Sequence, residues 1–230
     1  MLKIRPRGNF FFLLPQLVAL GMLFFLPVAN AQQPPPPSGV YDAAPYLGQI
    51  RNNYVYGDIW ERPTLSKRDR SMITVAVNQA LYATNELRLH MGRALDNGIT
   101  QTELSEIIAH VLWYSGFPTG VNAARVASEV FAERNLPAIP PEASSRQPTE
   151  QPDLEFPDAY PQTPYLRDLL NQVLYAETWK RNELSPRDRS MITVAVGTAL
   201  YASSEVRYHV GRALDNGVTQ DEISEIITHV

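Results

Sequence analysis

The chain contains itself twice, and this constrains its fold more than any other feature. "RDRSMITVAV" stands at 68–77 and again at 187–196, and "GRALDNG" at 92–98 and 211–217, an offset of 119 residues. Between 46–111 and 165–230, 41 of 66 positions are identical. A repeat of this length is a duplicated domain rather than a turn of a short-period solenoid. The copies span 45–135 and 165–230, and the second stops after "SEIITHV", where the first continues "SEIIAHVLWYSGFPTGVNAARVASEVFAERN". The second copy therefore lacks the end of a fourth helix and a fifth. The expectation is that it leans on the first copy or on a neighbouring chain, with only the first holding every site-forming element. The alternative is that the sequence is a fragment.

Each copy reads as helices. Ser66 opens "SKRDRSMITVAVNQALYA" with Asp69 placed for a capping box, and Ser185-Pro186 opens the equivalent segment. A first helix is expected over about Pro45–Trp60. "NELRLHMGRALDN" closes at Gly98, "TQTELSEIIAHVLWYSG" carries a Thr100/Glu103 capping box, and a fifth helix enters through Pro118. No segment alternates with period two between turn signals, so the fold class is all-α, and "MITVAV" is a buried helix despite its β-branched residues.

Residues 1–31 read as a signal peptide: Lys3, Arg5 and Arg7, then an apolar run, then Ala29-Asn30-Ala31. This predicts a periplasmic or secreted protein with no stable membrane insertion after cleavage. Retention as an inner-membrane anchor is the alternative. Residues 32–44 form a proline-rich tether, and 136–164 a glycine-free, proline-rich linker. A net charge of −4 without a basic block gives nucleic-acid binding no electrostatic support. The absence of cysteine removes disulfides, thiolate metal sites and thiol nucleophiles.

The four histidines fall at two equivalent positions per copy, 90 and 209, 110 and 229. On the third helix Glu86, His90, Arg93 and Asn97 share one stripe, repeated as Glu205, His209, Arg212 and Asn216. A solvated face of Glu–His–Arg pairs would look the same. As a site, a carboxylate beside an imidazole would fix its tautomer and raise its pKa, and the arginine would hold a substrate carboxylate. His110 flanks the core face of the fourth helix near Glu103, Glu106 and Tyr114, followed by "WYSGFP". An interface or capped-core histidine has the same spacing. Two histidines and a carboxylate also admit an open metal site, a weaker reading because nothing in the spacing brings His110 to His90.

The combination of "NELRLHMGRALDNGIT", "ELSEIIAH" and "YSGFP", with its partial second occurrence, resembles the carboxymuconolactone decarboxylase family of the AhpD-like superfamily. The resemblance implies an all-α fold assembling into rings, usually hexamers of single domains. A two-domain chain would then form a homo-oligomer, possible as a trimer with pseudo-sixfold character. It implies a lyase without cofactor that removes CO2 from a small anionic lactone or organic acid of the 4-carboxymuconolactone type. Arg93 would hold a carboxylate, His90 oriented by Glu86 would polarise the lactone or relay a proton, and His110 would be the second acid/base group. Glu205, His209, Arg212 and His229 would repeat this set in the second copy. The peroxidase branch needs a Cys-x-x-Cys motif, whose positions hold Ala83 and Glu86 here. A non-catalytic periplasmic binding or scaffold domain is the alternative, and a redox or metal-dependent member a further one.

Overall fold

The computed structural model describes residue 39, residues 41–140 and residues 160–230. The signal peptide, most of the tether and most of the linker lie outside the described residues. Among the described residues there is no strand. The first copy comprises α1 (Pro45–Ile50), α2 (Lys67–Ala80), α3 (Thr84–Asp96), α4 (Gln101–Ser115) and α5 (Phe117–Glu133). The second comprises α6 (Pro164–Leu169), α7 (Pro186–Ala199), α8 (Ser203–Asp215) and α9 (Gln220–His229).

The expected helix over 45–60 is divided. α1 ends at Ile50, a π-helical turn runs over Arg51–Val55, and a 3-10 turn over Ile59–Glu61 carries Trp60 inward. The second copy repeats both irregular turns at Leu170–Tyr175 and Thr178–Lys180. The π-helical turn is wider than an α-helical one and the 3-10 turn tighter; π-helical turns occur often near functional sites. Here the irregular turns deliver Tyr56 and Trp60, and Tyr175 and Trp179.

The remaining helix signals act locally. Ser66 Oγ accepts the Asp69 N–H and Ser185 Oγ that of Asp188, each at 3.0 Å. Asp69 does not complete a capping box: its carboxylate pairs with Arg187 of the other copy at 3.3 Å. Thr100/Glu103 and Thr219/Glu222 do form capping boxes. Gly98, at φ +90°, ends α3 in a backbone region that a side chain would strain.

The two copies share one core. Met72, Ile73 and Val75 of α2 and Met191, Ile192 and Val194 of α7 are fully buried in a single apolar cluster. Ile223 and Ile226 of α9 belong to the same cluster. Fully burying a side chain such as Ile226 contributes about 1.5–3 kcal/mol. Around the α2–α7 contact the charges are reciprocal: Arg68 reaches Asp188 at 2.9 Å while Arg187 reaches Asp69. Each helix therefore packs as closely against its repeat as against its own copy, and α4 and α9 each lie across the other copy's central helix.

Candidate active site

The fourth helices bridge the copies, each touching both α2 and α7, and this sets which residues meet. His90 of α3 stacks on Trp60 with ring centres 6.2 Å apart, and Trp60 meets His229 of α9 edge-on at 5.2 Å. The first site is thus built from both copies. It surrounds a cavity of about 210 Å³ lined by Tyr56, Trp60, Thr74, Asn78, His90 and His229 among others. Arg93 lies alongside, its Nη1 donating to the Tyr56 hydroxyl at 3.0 Å. His110, expected beside His90, is instead fully buried in the second site. There its Nε2 bonds Thr193 Oγ at 2.8 Å and its ring meets Trp179 at 5.0 Å. The expectation that the first copy alone holds a complete set is corrected accordingly. Its histidine stripe is completed by His229 of α9, which meets Thr74 of α2, while His110 of α4 meets Thr193 of α7.

The second site repeats the tryptophan, histidine and arginine of the first and adds the ring of Tyr114. Trp179 stacks on His209 at 6.0 Å, and Arg212 lies over Trp179 at 4.1 Å. The ring of Tyr114 stands edge-on to His209 at 5.4 Å, and its hydroxyl accepts from Trp179 Nε1 at 2.9 Å. His209 is 1% exposed and neither ring nitrogen has a hydrogen-bond partner.

Glu86 and Glu205 do not act as the stripe suggests. Both are exposed, and no hydrogen bond joins Glu86 to His90, whose Nδ1 is buried without a partner. Glu205 borders an aromatic groove with Tyr175 and Tyr208. Asn97 and Asn216 tie the ends of α3 and α8 to Ser71 and Ser190. They brace the helices instead of facing the cavity.

Burial, then the charges of Arg93 and His229, push His90 down to about 4, opposite to the rise expected from a neighbouring carboxylate. Burial and Arg70 push His229 down to about 4 against the opposing charge of Glu225. Burial and Arg212 push His209 down to about 3, and burial holds His110 well below its ordinary value. All four imidazoles are neutral at pH 7.

Behind each fourth-helix histidine stands a buried ion cluster. Glu225, one turn before His229, accepts from Arg70 at 2.7 Å and from Arg62 at 2.9 Å. Glu106, one turn before His110, accepts from Arg181 at 2.6 Å and from Arg189 at 3.1 Å. The sequence reading passed over Tyr56, Trp60, Arg70, Thr74, Asn78 and Glu225. The usable signal was an arginine inside the apolar run "RSMITVAV" together with a Glu-x-x-x-His pair, both identical in the two copies. Among the described residues no three histidine, aspartate or glutamate side chains converge so as to hold a metal ion.

A family model for the carboxymuconolactone decarboxylase family matches residues 45–129 and 164–230. The 4-carboxymuconolactone decarboxylase of Acinetobacter baylyi is 39% identical over 85 residues, which cover 37% of this chain and 63% of that protein. The nitrosuccinic acid decarboxylase of Metarhizium robertsii is 31% identical over 83 residues, covering 36% of this chain and 58% of its own length. The chain thus spans about three fifths of each of these relatives. With two matched segments that together cover well over half of its length, each carrying the histidine-bearing helices, the chain belongs to the carboxymuconolactone decarboxylase family.

Proposed function

We propose that the first site removes CO2 from a small carboxylated lactone or related organic acid without a cofactor. The observation that carries this reading is an unbonded neutral imidazole, His90, lining a small, aromatic-walled cavity, with the Arg93 cation bonded to the wall residue Tyr56. The two named relatives act on a carboxylated lactone and on a nitro-substituted dicarboxylic acid. In both substrates the electron pair left by CO2 can spread into an electron-withdrawing group, and a second acid group is available for binding.

In the proposed reaction the substrate carries its negative charge toward Arg93, which offsets the charge of the anion formed as the carbon–carboxylate bond breaks. CO2 leaves, the electron pair delocalises into the lactone or nitro system, and a proton is added at carbon. Bound negative charge raises the proton affinity of His90. The ring that is neutral in the empty site can then take a proton from water and deliver it. Trp60 and Tyr56 exclude water and hold the planar anion against the His90 ring. The basic, apolar and small-residue order of residues 1–31 supports the further proposal that the protein works outside the cytoplasm.

The test is to incubate the purified chain with 4-carboxymuconolactone and with nitrosuccinate in D2O and follow CO2 and the product. CO2 release from one of them, with one deuterium at the protonated carbon, is expected. No CO2 from either, by a chain that still melts cooperatively, would remove this reading.

A further inference from the structure

His229 and His90 line the same cavity, yet their hydrogen bonding differs. Arg70 Nη1 lies 3.3 Å from His229 Nδ1, and a guanidinium can only donate. Nδ1 must therefore accept and carries no proton. A neutral ring then has its proton on Nε2, which lies 2.8 Å from Thr74 Oγ. That oxygen must accept, so the one hydroxyl proton of Thr74 goes elsewhere. It has a partner: Thr74 Oγ donates to the Arg70 carbonyl at 2.7 Å. Along these three bonds each donor meets one acceptor, and they close on the residue where they began.

Arg70 is in turn held in place. Its Nη2 donates to the Arg62 carbonyl at 2.8 Å and to Glu225 at 2.7 Å, and Arg70 and Glu225 are 0% and 3% exposed. Glu225 and His229 are four residues apart on α9, while Arg70 and Thr74 are four apart on α2. The two helices present matched pairs, charge to charge and ring to hydroxyl. The second site repeats the hydroxyl half: His110 Nε2 meets Thr193 Oγ, which donates to the Arg189 carbonyl at 2.8 Å. A second proton on His229 would point an N–H at the Arg70 N–H, with no acceptor between them. His90 has no such constraint, because among the described residues no group hydrogen-bonds its ring.

We infer that Arg70, Thr74 and Glu225 are positioning residues that fix His229 as the neutral Nε2–H tautomer, leaving His90 as the only proton-handling ring of the first site. The assignment of the proton to His90 rests on the decarboxylase reading of the site; the tautomer of His229 does not. His229 serves as a wall with fixed polarity that orients Trp60 against His90.

Two measurements test this on the full chain. Nitrogen-15 NMR of the imidazole side chains at neutral pH, with His229 assigned by its loss in H229Q, is expected to show a proton on Nε2 and none on Nδ1. In Thr74→Val, which leaves Arg70 facing Nδ1, the Nε2–H signature is expected to persist, whereas in Arg70→Gln, whose amide can accept as well as donate, it is expected to give way to a mixture. A proton on Nδ1, or a doubly protonated ring, overturns the inference whether or not the chain has activity. In the kinetic arm the glutamine of H229Q can donate to Thr74 and accept from Arg70 but cannot titrate. H229Q is expected to keep kcat within about tenfold of the parent and to exceed H229A, while H90Q loses at least about 100-fold. An H229Q loss equal to that of H90Q, at unchanged melting temperature, overturns the division of labour. If the parent itself releases no CO2, the proposed function fails and the NMR result alone decides the tautomer.

Discussion

In the first site His90 faces a cavity of about 210 Å³, whereas in the second the equivalent His209 is 1% exposed and Tyr114 stands against its ring. The two are built from the same residue types: tyrosine and tryptophan from irregular turns, histidine and arginine from the third helix, threonine from the central helix and histidine from the fourth helix of the other copy. They also differ at Asn78, whose counterpart is Gly197, and at Leu89, whose counterpart is Tyr208. A shared scaffold therefore does not guarantee a shared environment. The rings of Tyr114, Trp179 and Tyr208 surround the His209 imidazole, whose two nitrogens are buried without a hydrogen-bond partner among the described residues. A group left so costs roughly 1–3 kcal/mol, which the aromatic contacts of Tyr114 and Trp179 must offset.

The largest expected difference between the sites is in turnover. His90→Gln should lower CO2 release by about 10²–10⁴-fold, the usual contribution of a positioned acid or base. His209→Gln should leave it unchanged, as measured by kcat/KM at matched melting temperature. Equal losses would show that the second site turns over as well.

Stability comes next. Glu106→Ala should cost about 3–5 kcal/mol in chemical denaturation, because it strands Arg189, whose side chain is 0% exposed, beside Arg181. Glu225→Ala strands the equally buried Arg70 but should cost less, since its second partner Arg62 has a side chain 44% exposed that can turn to water, against 16% for Arg181. A larger loss at Glu225 would reverse the ranking of the two clusters.

Acid should act on both sites. Each histidine has a folded pKa below the free value of 6.5, so the unfolded chain binds more protons. Their contribution is complete above about pH 6.5 and is lost as pH falls toward about 4 and 3. Burial pushes the Glu106 and Glu225 carboxyls up, but their arginines outweigh it and hold both below the ordinary 4.5. Their contribution is therefore lost further down, below about pH 4.5. The melting temperature should fall steadily from pH 7 to pH 5; a flat profile there would contradict the buried neutral rings.

The smallest effect is the most local. Tyr114→Phe removes the acceptor of Trp179 Nε1 and should cost about 1 kcal/mol without opening the second site. Tyr114→Ala should open it, raising ligand stoichiometry by calorimetry from one to two per chain. One ligand in both variants would mean that more than this ring closes the site.

Much of this arrangement could be read from the chain. Ser66, Thr100, Gly98 and Gly116 fix helix ends through bonds to residues within a few positions, so the α2 to α5 boundaries follow from local sequence. The first helix was harder to read. The π-helical turn at Arg51–Val55 depends on docking Tyr56 and Trp60, which no local signal announces. The His90–Arg93 stripe was legible because three-residue spacing puts both on one helical face. Its supposed orienting partner was not: Glu86 shares the periodicity but lies where α3 meets solvent.

By itself, then, the sequence determined that the protein is helical, duplicated, without thiols and equipped with a repeated histidine–arginine stripe. Those properties depend on residue type and on contacts along the chain. Only the tertiary structure decided that His229 rather than His110 faces His90, that Arg70 and Thr74 bond His229, and that Tyr114 fills the second site. The reason is that α2 and α7 pack against each other as well as against their own copies, so that each fourth helix touches both and its histidine meets the threonine of the other copy's central helix. In a repeated sequence, identical residues make pairing within a copy and pairing between copies read the same.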